Sequence, residues 1–188
     1  MNTATIEIPR YGSLKLHYAT MCIVVLGTMF QVGHFAEHAV QFGMWLFSDR
    51  SMPWMSTWAM YLVHQIGHWA VPDASGARQM AVGMELLHLV GNGIFLVTIA
   101  AFYKHSPTKL VRQAFYVEGF HLIEHLLLTF SVIYLGKPIG FSTLFGNSSL
   151  VWDKEGVVGY RVFWHFAMNL VPSILIMKAM MNMRSKTQ

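Results

Sequence analysis

Apolar residues run through the chain in four long stretches, near residues 20–47, 80–103, 113–135 and 159–181, and the segments between them hold most of the charges. About 20 helical residues at about 1.5 Å each cover the ~30 Å hydrocarbon core of a bilayer, so each stretch is long enough to cross one. A fifth stretch, "MPWMSTWAMYLVHQIGHWAV" (52–71), is apolar but short and carries Trp and Tyr, which favour the headgroup level. The pattern predicts an all-α integral membrane protein. Its expected form is a four-helix transmembrane bundle with a short interfacial or re-entrant helix in the first outer connection.

Composition agrees with this reading. Of the 188 residues, 54% are hydrophobic and 12% charged, against roughly 25% charged in a soluble domain. Mean hydropathy is +0.43. No Pro/Ser-rich linker divides the chain, so a single domain over 1–188 is expected. The first twenty residues lack the basic segment, apolar core and cleavage site of a signal peptide. Cys22 is the one cysteine, which excludes an intrachain disulfide and a cysteine-based metal cluster.

A net charge of +4 and a pI near 9.3 raise the question of nucleic acid. The basic residues instead mark loops and ends: Arg10 and Lys15; Lys104, Lys109 and Arg112; Lys178, Arg184 and Lys186. The other two connections are balanced, with Asp49, Arg50, Asp73 and Arg78 in one and Lys137, Asp153, Lys154 and Glu155 in the other. With four spans, the positive-inside rule puts both termini and the central loop in the cytoplasm. The expected partners are the lipid bilayer and other membrane subunits or a second copy of the chain, with no nucleic acid.

The histidines carry a repeat. His34, Glu37 and His38 in "GHFAEH" recur 87 residues later as His121, Glu124 and His125 in "FHLIEH". His88 and Asn92 in "HLVGN" recur 77 residues later as His165 and Asn169 in "HFAMN". The order HxxEH, outer connection, HxxxN therefore occurs twice, over about 20–103 and about 113–181. Two spans per copy predict a tandem two-helix repeat with parallel copies, related by an axis along the membrane normal.

At 100° per residue, positions i, i+3 and i+4 share one side of a helix, so each HxxEH points its three polar groups the same way. Both motifs lie about ten residues, or about 15 Å, from the outer ends of their helices, near the bilayer centre. A carboxylate there costs on the order of 3 kcal/mol even on insertion scales. Interhelical hydrogen bonding would explain a single buried histidine, but six on four spans with matched acids exceed what packing needs. Neutral imidazole is the commonest protein metal ligand, and a dication offsets buried carboxylates. The expected ligands are His34, Glu37, His38, Glu85, His88, His121, Glu124, His125 and His165, around a centre that is plausibly dinuclear.

Asn92 and Asn169, one turn deeper, suit either partners that fix imidazole tautomers or ordinary interhelical hydrogen bonds. His64 and His68, spaced i and i+4, would bind a metal on one helical face given a third ligand, lid the site or relay protons, or else serve interfacial packing. Glu85 three residues before His88 and Glu118 three before His121 resemble the ExxH pairs of di-iron carboxylate bundles, though their aligned positions are Val162 and Gln31. Glu118, nearer the cytoplasmic end, is expected to be solvated or to pair with Arg112 or Lys109. His17 and His105 receive no role, the fourteen methionines read as apolar filler, and "NSS" at 147–149 fits a glycosylation acceptor.

The leading functional expectation is a membrane oxidoreductase with a non-haem iron or copper centre, zinc being a further option, acting on a small or lipophilic substrate. The main alternative is a b-type haem protein, or a metal- or haem-carrying accessory subunit of a larger complex. Zinc hydrolysis, which also uses HxxEH, ranks lower because two copies facing each other are not how a single-zinc peptidase is built.

Overall fold

The computed structural model describes residues 11–47, 55–144 and 154–184. Arg10, Asp49, Arg50, Asp153, Lys186 and the 147–149 tripeptide lie outside the described residues, as do the side chains of Lys15, His17, Lys154, Glu155 and Arg184. The described chain is helical, with no strand among the described residues. Six helices occur in the order α1 (Tyr11–Phe47), α2 (Thr57–Ala70), α3 (Gly76–His105), α4 (Lys109–Leu135), α5 (Phe141–Leu144) and α6 (Lys154–Arg184).

Helices α1, α3, α4 and α6 each contain a stretch long and apolar enough to cross a membrane: Tyr18–Phe47, Gly76–His105, Lys109–Leu135 and Tyr160–Met183. These are the four stretches expected from hydropathy, but the helices extend several residues beyond the apolar parts. Hydropathy locates burial, whereas helix ends are set by caps. Ser75 Oγ accepts the N–H of Arg78 at the start of α3, and Thr108 Oγ1 accepts that of Val111 at the start of α4. Gly136, at φ +72°, closes α4 in the left-handed conformation that glycine adopts without strain.

The long helices form a closed ring in which α1 packs on α3, α3 on α4, α4 on α6 and α6 on α1. One half of the ring is filled by apolar residues: Phe95, Ile99, Val111, Ala114, Ile176 and Ala179 are buried together. The other half has a polar interior with Glu85, His121, Glu124 and His125 buried, while Leu26, Met29, Val32, Phe130 and Tyr134 face outward and are exposed. This reverses the usual arrangement of a water-soluble domain.

Helix α2 packs antiparallel along the first turns of α3, burying Val63 and Gly67. Small residues permit the approach. A Cβ on Gly67 would lie 1.8 Å from Gln79 O, and one on Gly83 would lie 1.9 Å from Val63 O. Gln79 Nε2 then donates to the carbonyls of Val71 and Pro72 and ties off the intervening turn. Because backbone would have to move, Gly67→Ala and Gly83→Ala should each cost about 1–3 kcal/mol. Thermal denaturation in detergent should show a lowered midpoint for both, and no change for Gly43→Ala, whose added Cβ meets nothing within 4 Å.

Candidate metal centre

Six histidines converge from the four long helices. His34 and His38 lie one turn apart on α1 and meet His88 of α3, with ring centroids 4.6, 5.4 and 5.3 Å apart. His121 and His125 of α4 meet His165 of α6 in the same way, at 4.9, 5.9 and 5.0 Å. In each triad one nitrogen per ring lies within 4.8 Å of the others. The triads also touch: the His88 and His125 rings stack at 5.1 Å, and those of His38 and His165 at 5.8 Å. His38, His121, His125 and His165 are buried, while His34 and His88 are half-buried.

The ring nitrogens left without hydrogen bonds are the atoms that could ligate an ion. His88 Nδ1 lies 2.8 Å from Met84 O and His165 Nδ1 lies 2.8 Å from Arg161 O, each one turn back on its own helix. A carbonyl only accepts, so both rings carry their proton on Nδ1 and present the Nε2 lone pair. His38 Nδ1 pairs with Gln41 Oε1 at 3.1 Å, and His125 Nδ1 with Glu85 Oε2 at 3.3 Å. The Nε2 atoms of His34, His38, His121 and His125 are buried without a hydrogen-bond partner among the described residues. The tautomer-fixing role expected of Asn92 and Asn169 is thus filled by backbone carbonyls and other side chains. Asn169 donates to His165 O and accepts from Gln31 Nε2 at 2.9 Å, and Asn92 is buried with both amide atoms unpartnered.

The carboxylates are placed differently from the histidines. Glu37 Oε1 accepts the N–H and Oγ of Ser56, the N-cap of α2, at 3.1 and 3.2 Å. Glu124 Oε1 accepts the N–H of Ser142 in α5 at 2.7 Å, and its Oε2 accepts from Trp164 Nε1. Helical geometry explains this: the i and i+4 histidines lie about 40° apart, and the i+3 glutamate sits about 80° from their bisector, at the edge of the stripe. Each glutamate reaches the connection beside its helix while the histidines face the bundle. Glu85 pairs with Arg161 and with His125, linking α3, α6 and α4.

Glu118 overturns the expected pairing with Arg112 or Lys109. It is fully buried, its Oε2 lies 3.8 Å from His121 Nδ1, and neither oxygen has a hydrogen-bond partner among the described residues. Three residues before His121, it lies about 40° from the bisector of His121 and His125, so it shares their face. His64 and His68 are exposed, because Val63 and Gly67 take the side of α2 that meets α3 and the next position in each case turns away. Periodicity also does not single out Arg161, Ser56, Ser142 or Trp164. The available signal is a lone arginine inside an apolar stretch, one turn before His165.

The matched family covers residues 9–188 and is described as a family of unknown function, DUF6008. The chain belongs to that family. No curated protein and no solved structure matches it. Beside the centre of this DUF6008 chain, an apolar groove of about 540 Å³ runs along α4. It is lined by Leu127, Phe130, Tyr134, Ile139 and Phe141, the last adjoining the Ser142 that holds Glu124.

Arg161 is the cation paired with Glu85, so its removal leaves a buried charge behind. Arg161→Met should cost about 3–5 kcal/mol, and the double variant with Glu85→Gln should recover much of the loss. Thermal melts of the three proteins in detergent test this; equal melting of Arg161→Met and the parent would contradict it.

Proposed function

We propose that the two triads bind a pair of transition-metal ions within a membrane-spanning bundle, as the centre of a non-haem oxidoreductase for a small or lipophilic substrate. The observation that carries this reading is the convergence of six imidazoles from four helices, with their free nitrogens grouped in threes. His34, His38 and His88 would hold one ion, and His121, His125 and His165 the other. Three protein ligands leave a position open for water or substrate, as catalytic rather than structural metal sites do. An all-imidazole donor set suits iron, copper or zinc; of these, iron and copper would supply electron transfer when bound.

The same reading takes the chain as a tandem repeat. Its support is that His triads, carbonyl-bound Nδ1 atoms and serine-capped glutamates occur once in each half, at Ser56 and at Ser142. In a bilayer, α2 would dip from the outer surface to the level of Glu37 and return, with the termini and the 104–112 loop cytoplasmic by their charges. The apolar groove on α4 supports a lipophilic substrate.

A b-type haem is the second reading, since facing histidines can supply axial pairs. Against it, the rings lie in mutual contact where a porphyrin would need a slot between helices, and three buried glutamates, Glu85, Glu118 and Glu124, lie close by. A non-catalytic metal-carrying subunit uses the same ligands. Elemental analysis and a visible spectrum of the purified protein should give transition metal at one ion per triad and no Soret band, with His34→Ala and His121→Ala each losing metal. Absence of metal, or metal that survives both substitutions, would overturn the proposal.

A further inference from the structure

The two triads match in ligand type but not in what stands behind them. On the first, His88 Nδ1 is held by a backbone carbonyl and His38 Nδ1 by the neutral amide of Gln41. On the second, His165 Nδ1 is likewise held by a carbonyl, but His125 Nδ1 meets Glu85 at 3.3 Å and His121 Nδ1 faces Glu118 at 3.8 Å. The residue that corresponds to Glu118 in the first half, 87 positions earlier, is Gln31, whose amide is taken up by Asn169. The residue that corresponds to Glu85 in the second half, 77 positions later, is Val162. Both breaks in the correspondence therefore set a carboxylate against the Nδ1 of a second-triad ring, whereas Glu85, though one turn from His88, leaves the Nδ1 of that ring to the Met84 carbonyl.

The remaining charges do not cancel this difference. Glu37 and Glu124 each flank one triad and are each held by a serine N–H, Glu37 half-buried and Glu124 fully buried with Trp164 Nε1 as a further donor. Arg161 pairs with Glu85 and offsets its charge. Among the described residues Glu118 has no cation and no hydrogen-bond donor beside it other than the His121 ring, and it is fully buried on the same face as His121 and His125. The Asn92 amide is also unpartnered. A carboxylate on the far nitrogen of a ligating imidazole orients the ring and raises its basicity, and such partners are commonly worth 10–100-fold in metal affinity.

We infer that the centre is asymmetric: His121, His125 and His165, backed by Glu118, form a high-affinity site for a divalent transition metal, and His34, His38 and His88 form a weaker, more labile one. The inference rests on the metal-binding reading above. It gives the pair distinct tasks, a retained ion in the second triad and an exchangeable ion in the first, beside half-buried His34 and His88.

Two dications a few ångströms apart repel, so stepwise binding to the intact protein would not by itself reveal asymmetry. The triads are therefore compared one at a time, by titrating zinc or cobalt(II) into the detergent-solubilised full chain. His34→Ala/His38→Ala, which leaves the second triad, should bind 10–100-fold more tightly than His121→Ala/His125→Ala. Adding Glu118→Gln to the first of these should remove most of that advantage, with circular dichroism checking that the helices persist. Equal affinity of the two triads, or no effect of Glu118→Gln, would overturn the asymmetry while leaving metal binding intact. If His121→Ala/His125→Ala does not fold, the Glu118→Gln comparison alone decides. Failure of every protein to bind metal would instead sink the metal-binding reading itself.

Discussion

Unpartnered imidazole nitrogens inside an apolar bundle are the constraint on which the rest of the structure depends. A buried polar atom without a hydrogen bond costs about 1–3 kcal/mol. Here four Nε2 atoms are left in that state in one layer, drawn from α1 and α4. Packing alone does not call for this. Histidines that served only to join helices would each be expected to bond a neighbour, as Gln31 bonds Asn169. Ions that accept six lone pairs would convert the layer from the weakest part of the bundle into a cross-link of all four helices.

Around that layer the carboxylates and connections take on a second role. Glu37, half-buried, and Glu124, fully buried, lie on the flanks of the histidine stripes, and each is met by the first turn of a helix in the adjoining connection. A helix N-terminus supplies free N–H groups and a positive dipole end, so it suits a carboxylate. The histidines are thereby placed by rigid elements on both sides: the long helices carry them, and α2 and α5 hold the turn of chain that bears them. Glu85 and Arg161 add an ion pair from α3 to α6, and through His125 it reaches α4.

Much of this was legible in the sequence because two periodicities coincide there. Four apolar stretches locate the four long helices, and the 87- and 77-residue offsets pick out all six histidines of the two triads. Positions one turn apart must share a face, so the grouping of His34 with His38 and of His121 with His125 follows from spacing. What spacing does not carry is direction to within a quarter turn. Glu37 and Glu124 fall inside the same broad stripe yet reach serines of the adjoining connections. Glu118, read as a cytoplasmic-end residue, is buried because α4 packs tightly on both α3 and α6. Arg161 has no repeat partner, and its role depends on which helix α6 meets, which only the ring order of the bundle decides.

The central claim is that these six imidazoles bind metal directly, and X-ray absorption at the metal edge of the purified protein addresses it most closely. The account predicts a first shell of nitrogen and oxygen scatterers with the outer-shell features of about three imidazoles per ion and no sulfur. A first shell of four equatorial porphyrin nitrogens, or a metal bound without imidazole, would contradict it.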